Sequence, residues 1–103
     1  MTYAAVMTAL ADPTRRKVFE LVAELPRSVA DITRILPVSQ PAVSQHLKVL
    51  KVARLVRSEA RGASNIYRLD PHGLGEVRAW LDGMWGDALD AFQQEITESK
   101  ETE

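Results

Sequence analysis

Apolar residues recur along most of this chain at the three-to-four-residue spacing of helices. A first run, Tyr3 to about Ala11, has Val6, Met7 and Leu10 on one side and stops at Asp12-Pro13. Asp12 can cap a second helix with Pro13 at its first position, where a missing N–H costs nothing. Val18, Leu21, Val22 and Leu25 carry that helix to Pro26. Ser28 and Asp31 resemble a capping box for a third helix, Val29 to about Leu36, expected to bury Val29, Ile32, Ile35 and Leu36 before Pro37. Ser39 caps a fourth helix of about 39–50, with Gln40 and Pro41 in its first turn and Val43, Leu47 and Leu50 as its buried stripe.

After Lys51 the period changes. "LVRSEARGASNIYRL" predicts two short strands, Leu55 to Glu59 and Asn65 to Leu69, joined by a turn around Arg61-Gly62-Ala63-Ser64. A long helix follows from about residue 72 to 97, apolar along Val77, Leu81, Met84, Trp85, Ala88, Leu89, Phe92 and Ile96. Gly83 and Gly86 interrupt it, each costing about 1 kcal/mol relative to alanine. Residues 99–103 are expected to form a frayed acidic tail. The reading is a mainly α chain with a small β-hairpin, one domain over residues 1–98, in which two short helices joined by the "PVSQ" turn precede a basic hairpin. That order is a winged helix-turn-helix.

Charge sharpens this picture. The chain's net charge of −1 hides an acidic end and a basic middle. Between His46 and Arg68, Lys48, Lys51, Arg54, Arg57, Arg61 and Arg68 stand against Glu59 alone. A patch of this kind points to an anionic partner. With 46% hydrophobic and 26% charged residues the composition is globular, and no apolar run approaches the roughly 18 to 20 residues of a membrane span. A cytoplasmic location is expected. The absence of cysteine excludes disulfides, thiolate metal sites and thiol nucleophiles.

Burying Val43, Leu47 and Leu50 turns Ser39, Gln40, Pro41, Ser44, Gln45, Lys48 and Lys51 outward. Glutamine can donate to and accept from an adenine edge, serine can bond bases or phosphates, and lysine can reach phosphate or guanine. The helix N-terminus at Ser39 favours a phosphate. From the hairpin, Arg57, Arg61 and Arg68 can grip phosphates while Arg61 or Asn65 enters a minor groove. The competing readings are a merely solvated helix face and a charged hairpin edge that prevents strand pairing. Tyr67 is equally a phosphate contact or a packing residue. Arg15 and Arg16 are read as forming ion pairs with Glu20 or across elements in preference to contacting phosphate, and His46 as a boundary residue.

The stretches "LADPTRRKVFELV" and "SVADITRILPVSQPAVSQHLKVLK", with the basic hairpin after them, resemble the ArsR (arsenical-resistance repressor) family of bacterial winged-helix transcription regulators over about Leu10 to Leu69. The resemblance implies a homodimeric repressor that binds an inverted-repeat operator in double-stranded DNA. It assigns base reading to the helix after Ser39, backbone contact to the hairpin, and dimerisation to the first and last helices. In this chain the interface set is Tyr3, Val6, Leu10, Trp80, Leu81, Met84, Trp85, Leu89 and Phe92; the aromatic surface of the last helix also favours an interface.

Two departures matter. The positions that match the family's Cys-x-Cys metal pair are Ser28 and Ala30, and the Asp70-Pro71-His72 half-site lacks its second half, which would fall at Gly83 and Gly86. No metal and no cofactor are therefore expected, which leaves room for a small-molecule effector. The other departure is Ala53-Arg54-Leu55-Val56 where the family commonly has Ala-Gly-Leu-Val; an arginine in that left-handed position costs roughly 1 kcal/mol and would be offset by a phosphate contact. The alternative functions are a winged helix that binds only protein and a metal-responsive repressor with a non-standard site. No Ser-His-Asp set or phosphate loop suggests an enzyme.

Overall fold

Each helix before the hairpin except the first begins at a side chain that accepts one of its orphan N–H groups. The computed structural model describes residues 3–101, with side chains as far as residue 96. In it α1 (Tyr3–Ala11) and α2 (Pro13–Glu24) meet at Asp12, whose carboxylate accepts from the Arg15 backbone N–H at 2.9 Å. That bond is the main cause of a carboxyl held below its ordinary range. A two-residue strand, β1 (Arg27–Ser28), leads into α3 (Val29–Ile35) through a complete capping box. Ser28 Oγ accepts from the Asp31 N–H at 3.1 Å, and the Asp31 carboxylate accepts from the Ser28 N–H at 2.9 Å. Ser39 Oγ accepts from the Ala42 N–H at 3.3 Å and opens α4 (Gln40–Val52).

β2 (Val56–Arg61) and β3 (Ser64–Leu69) follow, then α5 (Pro71–Glu101). The hairpin turns on Gly62 and Ala63 alone, with Gly62 at φ 62°, a left-handed value that glycine adopts without penalty. Instead of a free hairpin there is a three-stranded antiparallel sheet in the order β1-β3-β2, with Arg27 opposite Tyr67 and Ser28 opposite Ile66. β1 is too short to show a period of its own. It nevertheless fixes the hairpin to the start of α3.

The core collects Val6 and Ala9 from α1, Val18 and Val22 from α2, Ile32 from α3, Val43, Leu47 and Leu50 from α4, and Leu55 and Val56 at the entry to the hairpin. Several expectations change here. Val6 is buried inside the protomer at 2% exposure, so it cannot be a direct interface contact, and Leu10 is half-buried against the same core. Ile35 is 48% exposed, because α3 ends there and only Ile32 faces inward fully. Among the described residues Arg15 and Arg16 form no ion pair: Arg15 Nη1 donates to the Ala9 carbonyl at 3.2 Å and Arg16 Nε to the Leu10 carbonyl at 2.9 Å. They cap the C-terminus of α1, where the last carbonyls lack helical partners and cations are favoured.

α5 runs without a break through Gly83 and Gly86, at each of which an added Cβ would meet open space, and its backbone continues past 99 to Glu101. The rest of the expected frayed tail, residues 102–103, lies outside the described residues. At 1.5 Å per residue its 31 residues extend roughly 46 Å. The molecule accordingly measures 68 × 25 × 21 Å, with a radius of gyration of 19.0 Å against about 13 Å for a compact domain of this length.

Candidate nucleic-acid interface

α4 is held from behind by Val43, Leu47 and Leu50, all at 0% exposure, and this fixes what it presents to solvent. Ser39, Gln40, Pro41, Ser44, Gln45, Lys48 and Lys51 are all exposed. They do not form one surface. At 3.6 residues per turn Gln40, Ser44 and Lys51 lie along one edge of the exposed face, and Gln45, Lys48 and Val52 along the other.

The first edge faces the hairpin. A concavity of about 310 Å³ brings Gln40 and Ser44 together with Ser64, Asn65 and Tyr67 of β3 and with Ser28 and Ala30. Lys51 Nζ donates to Ser58 Oγ at 2.9 Å, tying the last turn of α4 to β2. The second edge faces α1, where Gln45 and Lys48 border a separate, apolar cavity. Ser64 was not singled out from sequence; its register opposite Arg61 and its neighbour Asn65 are the signal that finds it.

The hairpin's cations differ in their freedom. Arg68 Nε donates to Glu59 Oε2 at 2.9 Å, and this bond is the main cause of a Glu59 carboxyl held below its ordinary value. Arg68 is thus engaged along the strands and not projected outward. Arg57 and Arg61 are exposed and have no carboxylate bonded to them among the described residues. Tyr67 is half-buried, packing on the core on one side and lining the concavity on the other.

Arg54 ends α4 at φ 61°, the left-handed conformation expected of the missing glycine. Its N–H donates to the Lys51 carbonyl at 3.0 Å, and the Leu55 N–H donates to the Leu50 carbonyl at 3.0 Å. These are the two bonds of a Schellman end, completed by apolar contact of the buried Leu50 and Leu55. The Arg54 guanidinium lies 3.1 Å from His72 Nε2, so in this structure its side chain turns toward α5. The Arg54 carbonyl accepts from the Gly73 N–H at 2.8 Å, and a Cβ on Gly73 would come within 2.6 Å of the Ala53 carbonyl oxygen. The end of α4 and the start of α5 are in backbone contact.

The positions considered for metal have other employment. Ser28 is spent in its capping box, and Asp70 accepts from the His72 N–H at 3.0 Å as the cap of α5. His72 Nε2 also lies 3.6 Å from Glu76 Oε1. Among the described residues no three His, Asp or Glu side chains are grouped to hold a metal ion. His46 is half-buried with Nδ1 enclosed, as a boundary residue would be.

At the far side of the molecule Tyr3 stacks on Trp80 with ring centroids 4.6 Å apart, joining α1 to α5 within one protomer. Leu81 is half-buried, while Met84, Trp85, Leu89 and Phe92 are 48 to 60% exposed. No helix among the described residues is long and apolar enough to cross a membrane.

This arrangement has counterparts. Residues 12–58 match the family model described as bacterial regulatory protein, arsR family. The HTH-type transcriptional regulator Rv2034 of Mycobacterium tuberculosis is 52% identical over 88 residues, which cover 85% of this chain and 82% of that protein. The transcriptional repressor SdpR of Bacillus subtilis is 32% identical over 76 residues, 74% of this chain and 84% of its own. Among solved structures, an ArsR-like transcriptional regulator from Rhodococcus sp. RHA1 is similar with a TM-score of 0.74 at 29% identity, covering 89% of this chain and 90% of that one.

Proposed function

The chain belongs to the arsR family of bacterial regulatory proteins, and from that premise we propose that it is a homodimeric, cytoplasmic repressor that reads an inverted-repeat operator without the family's usual metal sites. It is a transcriptional regulator with a winged helix-turn-helix fold, and not an enzyme. Residues 1–98 act as one DNA-binding domain, with 39–50 as the reading helix, 55–69 as the wing, and 3–11 and 72–97 as dimerisation helices.

The observation that carries this reading is the concavity in which Gln40 and Ser44 of α4 meet Asn65 of the hairpin, with the exposed Arg57 and Arg61 on that hairpin. Residues at the start of such a helix reach base edges in a major groove, and cations beside it neutralise phosphates. Arg54 takes no part, since its side chain is directed to His72. Dimerisation is supported by the unpartnered stripe of Trp85, Leu89 and Phe92, which recurs at helical spacing on the projecting half of α5. Two copies then hold two reading helices one DNA turn apart, about 34 to 36 Å. A thiolate-bound metal is not the inducing signal in this reading, because the chain has no cysteine and Ser28 is committed to its cap, which leaves room for a small-molecule effector.

Duplexes selected from a random pool, titrated at two salt concentrations, test this. A steep fall of log affinity with log salt is expected. Gln40→Ala should lose about 1 to 3 kcal/mol of discrimination at one base position. A flat salt dependence would leave a protein-binding module as the function.

A further inference from the structure

α4 has a second edge, toward α1, whose apolar residues DNA reading does not account for. Between α1 and α4 lies an open cavity of about 440 Å³, comparable in volume to sites that hold small organic ligands. Its walls are methyl groups: Ala4, Ala5 and Ala9 from α1, and Val49, Val52 and Ala53 from α4. Val52 is 65% exposed there, more so than Met7, Leu25 or Ile35 elsewhere in that half of the molecule. Among the described residues no aromatic ring lines the cavity, so its lining suits an aliphatic body and offers nothing to stack on.

The polar groups at this cavity are Thr8, Gln45 and Lys48. Lys48 has no carboxylate partner among the described residues, whereas Arg27 is paired with Glu24 and Arg68 with Glu59. An ammonium and an amide N–H₂ at one end of a methyl-lined trough match a carboxylate head on a hydrocarbon tail. Gln45 and Lys48 come one turn before Val49 and Val52, so head and tail lie along the α4 axis in that order.

We propose that this α1–α4 cavity binds a small aliphatic monocarboxylate, and that its occupation competes with DNA because Gln45 and Lys48 serve both. The competition rests on the function proposed above, whereas the binding of the carboxylate does not. A bound carboxylate neutralises Lys48 and engages the Gln45 amide, which removes both from the face offered to the duplex. The apolar tail meanwhile covers Val52. This supplies a route by which a chain without thiolates can answer a chemical signal.

The full chain, labelled at alanine and valine methyls, should be titrated with octanoate and followed by NMR. Saturable shifts are expected at Ala5, Ala9, Val49 and Val52, with the core methyls of Val18 and Val22 unmoved. 1-Octanol, and octanoate added to the Lys48→Gln variant, should each bind about fivefold more weakly, the worth of one exposed charge contact. Ala4→Leu narrows the cavity and should abolish the shifts while leaving the core spectrum and the duplex affinity unchanged. In a parallel titration the apparent Kd for duplex should rise in proportion to octanoate, and duplex should weaken octanoate reciprocally. Missing shifts, shifts spread through the core, or equal binding of octanol overturn the site; so do shifts that vanish as protein concentration rises, because a second copy then fills the groove. Octanoate and duplex binding independently overturn the competition. If octanoate binds as described and no duplex titrates, the DNA-binding function fails and the ligand site stands.

Discussion

The part of the molecule from α1 to β3 and the far half of α5 obey opposite rules. In the first, Ile32, Val43, Leu47, Leu50 and Leu55 reach 0% exposure, and α2, α3 and α4 each open on a capping side chain. In the second, Trp85, Leu89 and Phe92 stand 58 to 60% exposed along a stretch of helix that no other element among the described residues covers. Each such side chain, already partly covered, would gain about 1 to 2 kcal/mol more if buried against a partner. The first region is complete in one copy. The second is an unfinished surface, and the contrast separates what the chain needs in order to fold from what it needs in order to act.

Substitutions can probe that contrast. Leu47→Ala opens a cavity beneath the reading helix and should cost about 2 to 5 kcal/mol, measured by denaturant unfolding. A cost under 1 kcal/mol would mean the core is looser than its burial implies. Gly73→Ala forces a Cβ against the Ala53 and Arg54 carbonyls, which are backbone and cannot swing away. A loss of about 1 to 3 kcal/mol is expected, and an unchanged midpoint would show that the α4–α5 junction is slack. Arg54→Gly removes the left-handed penalty and should stabilise the chain by about 1 kcal/mol, with operator affinity retained. Lost affinity would restore Arg54 to the DNA contacts. Leu89→Asp should change the unfolding free energy of the α1–β3 region by no more than about 0.5 kcal/mol, while sedimentation shows the dimer separating into monomers. A core that melted with the dimer would erase the distinction between the two regions.

Much of the first region was legible as sequence because its signals are local. Asp12, Ser28 with Asp31, and Ser39 each act on an N–H three residues away, and the change of period after Lys51 marked the hairpin. What was not legible depends on distant partners. β1 exists only because β3 returns to Arg27 and Ser28. Arg15 and Arg16 read as ion-pair formers, since charge is visible in a sequence and the uncapped carbonyls of a preceding helix are not. For the candidate site, exposure followed from the burial of Val43, Leu47 and Leu50, but the division of the α4 face did not. Helical spacing alone gives Gln40 and Gln45 the same character, and only the positions of the hairpin and of α1 assign them to different surroundings.

The bond from the Gly73 N–H to the Arg54 carbonyl joins the short reading helix to one end of a rod roughly 46 Å long. Such a joint has leverage. A tilt of only about 5° at Gly73 sweeps the far tip of the rod through roughly 4 Å, on the order of one base-pair rise. Run in reverse, in the dimer proposed above a second copy that clamped the tip would set the pitch of α4, and the tolerance on half-site spacing would be decided far from any base.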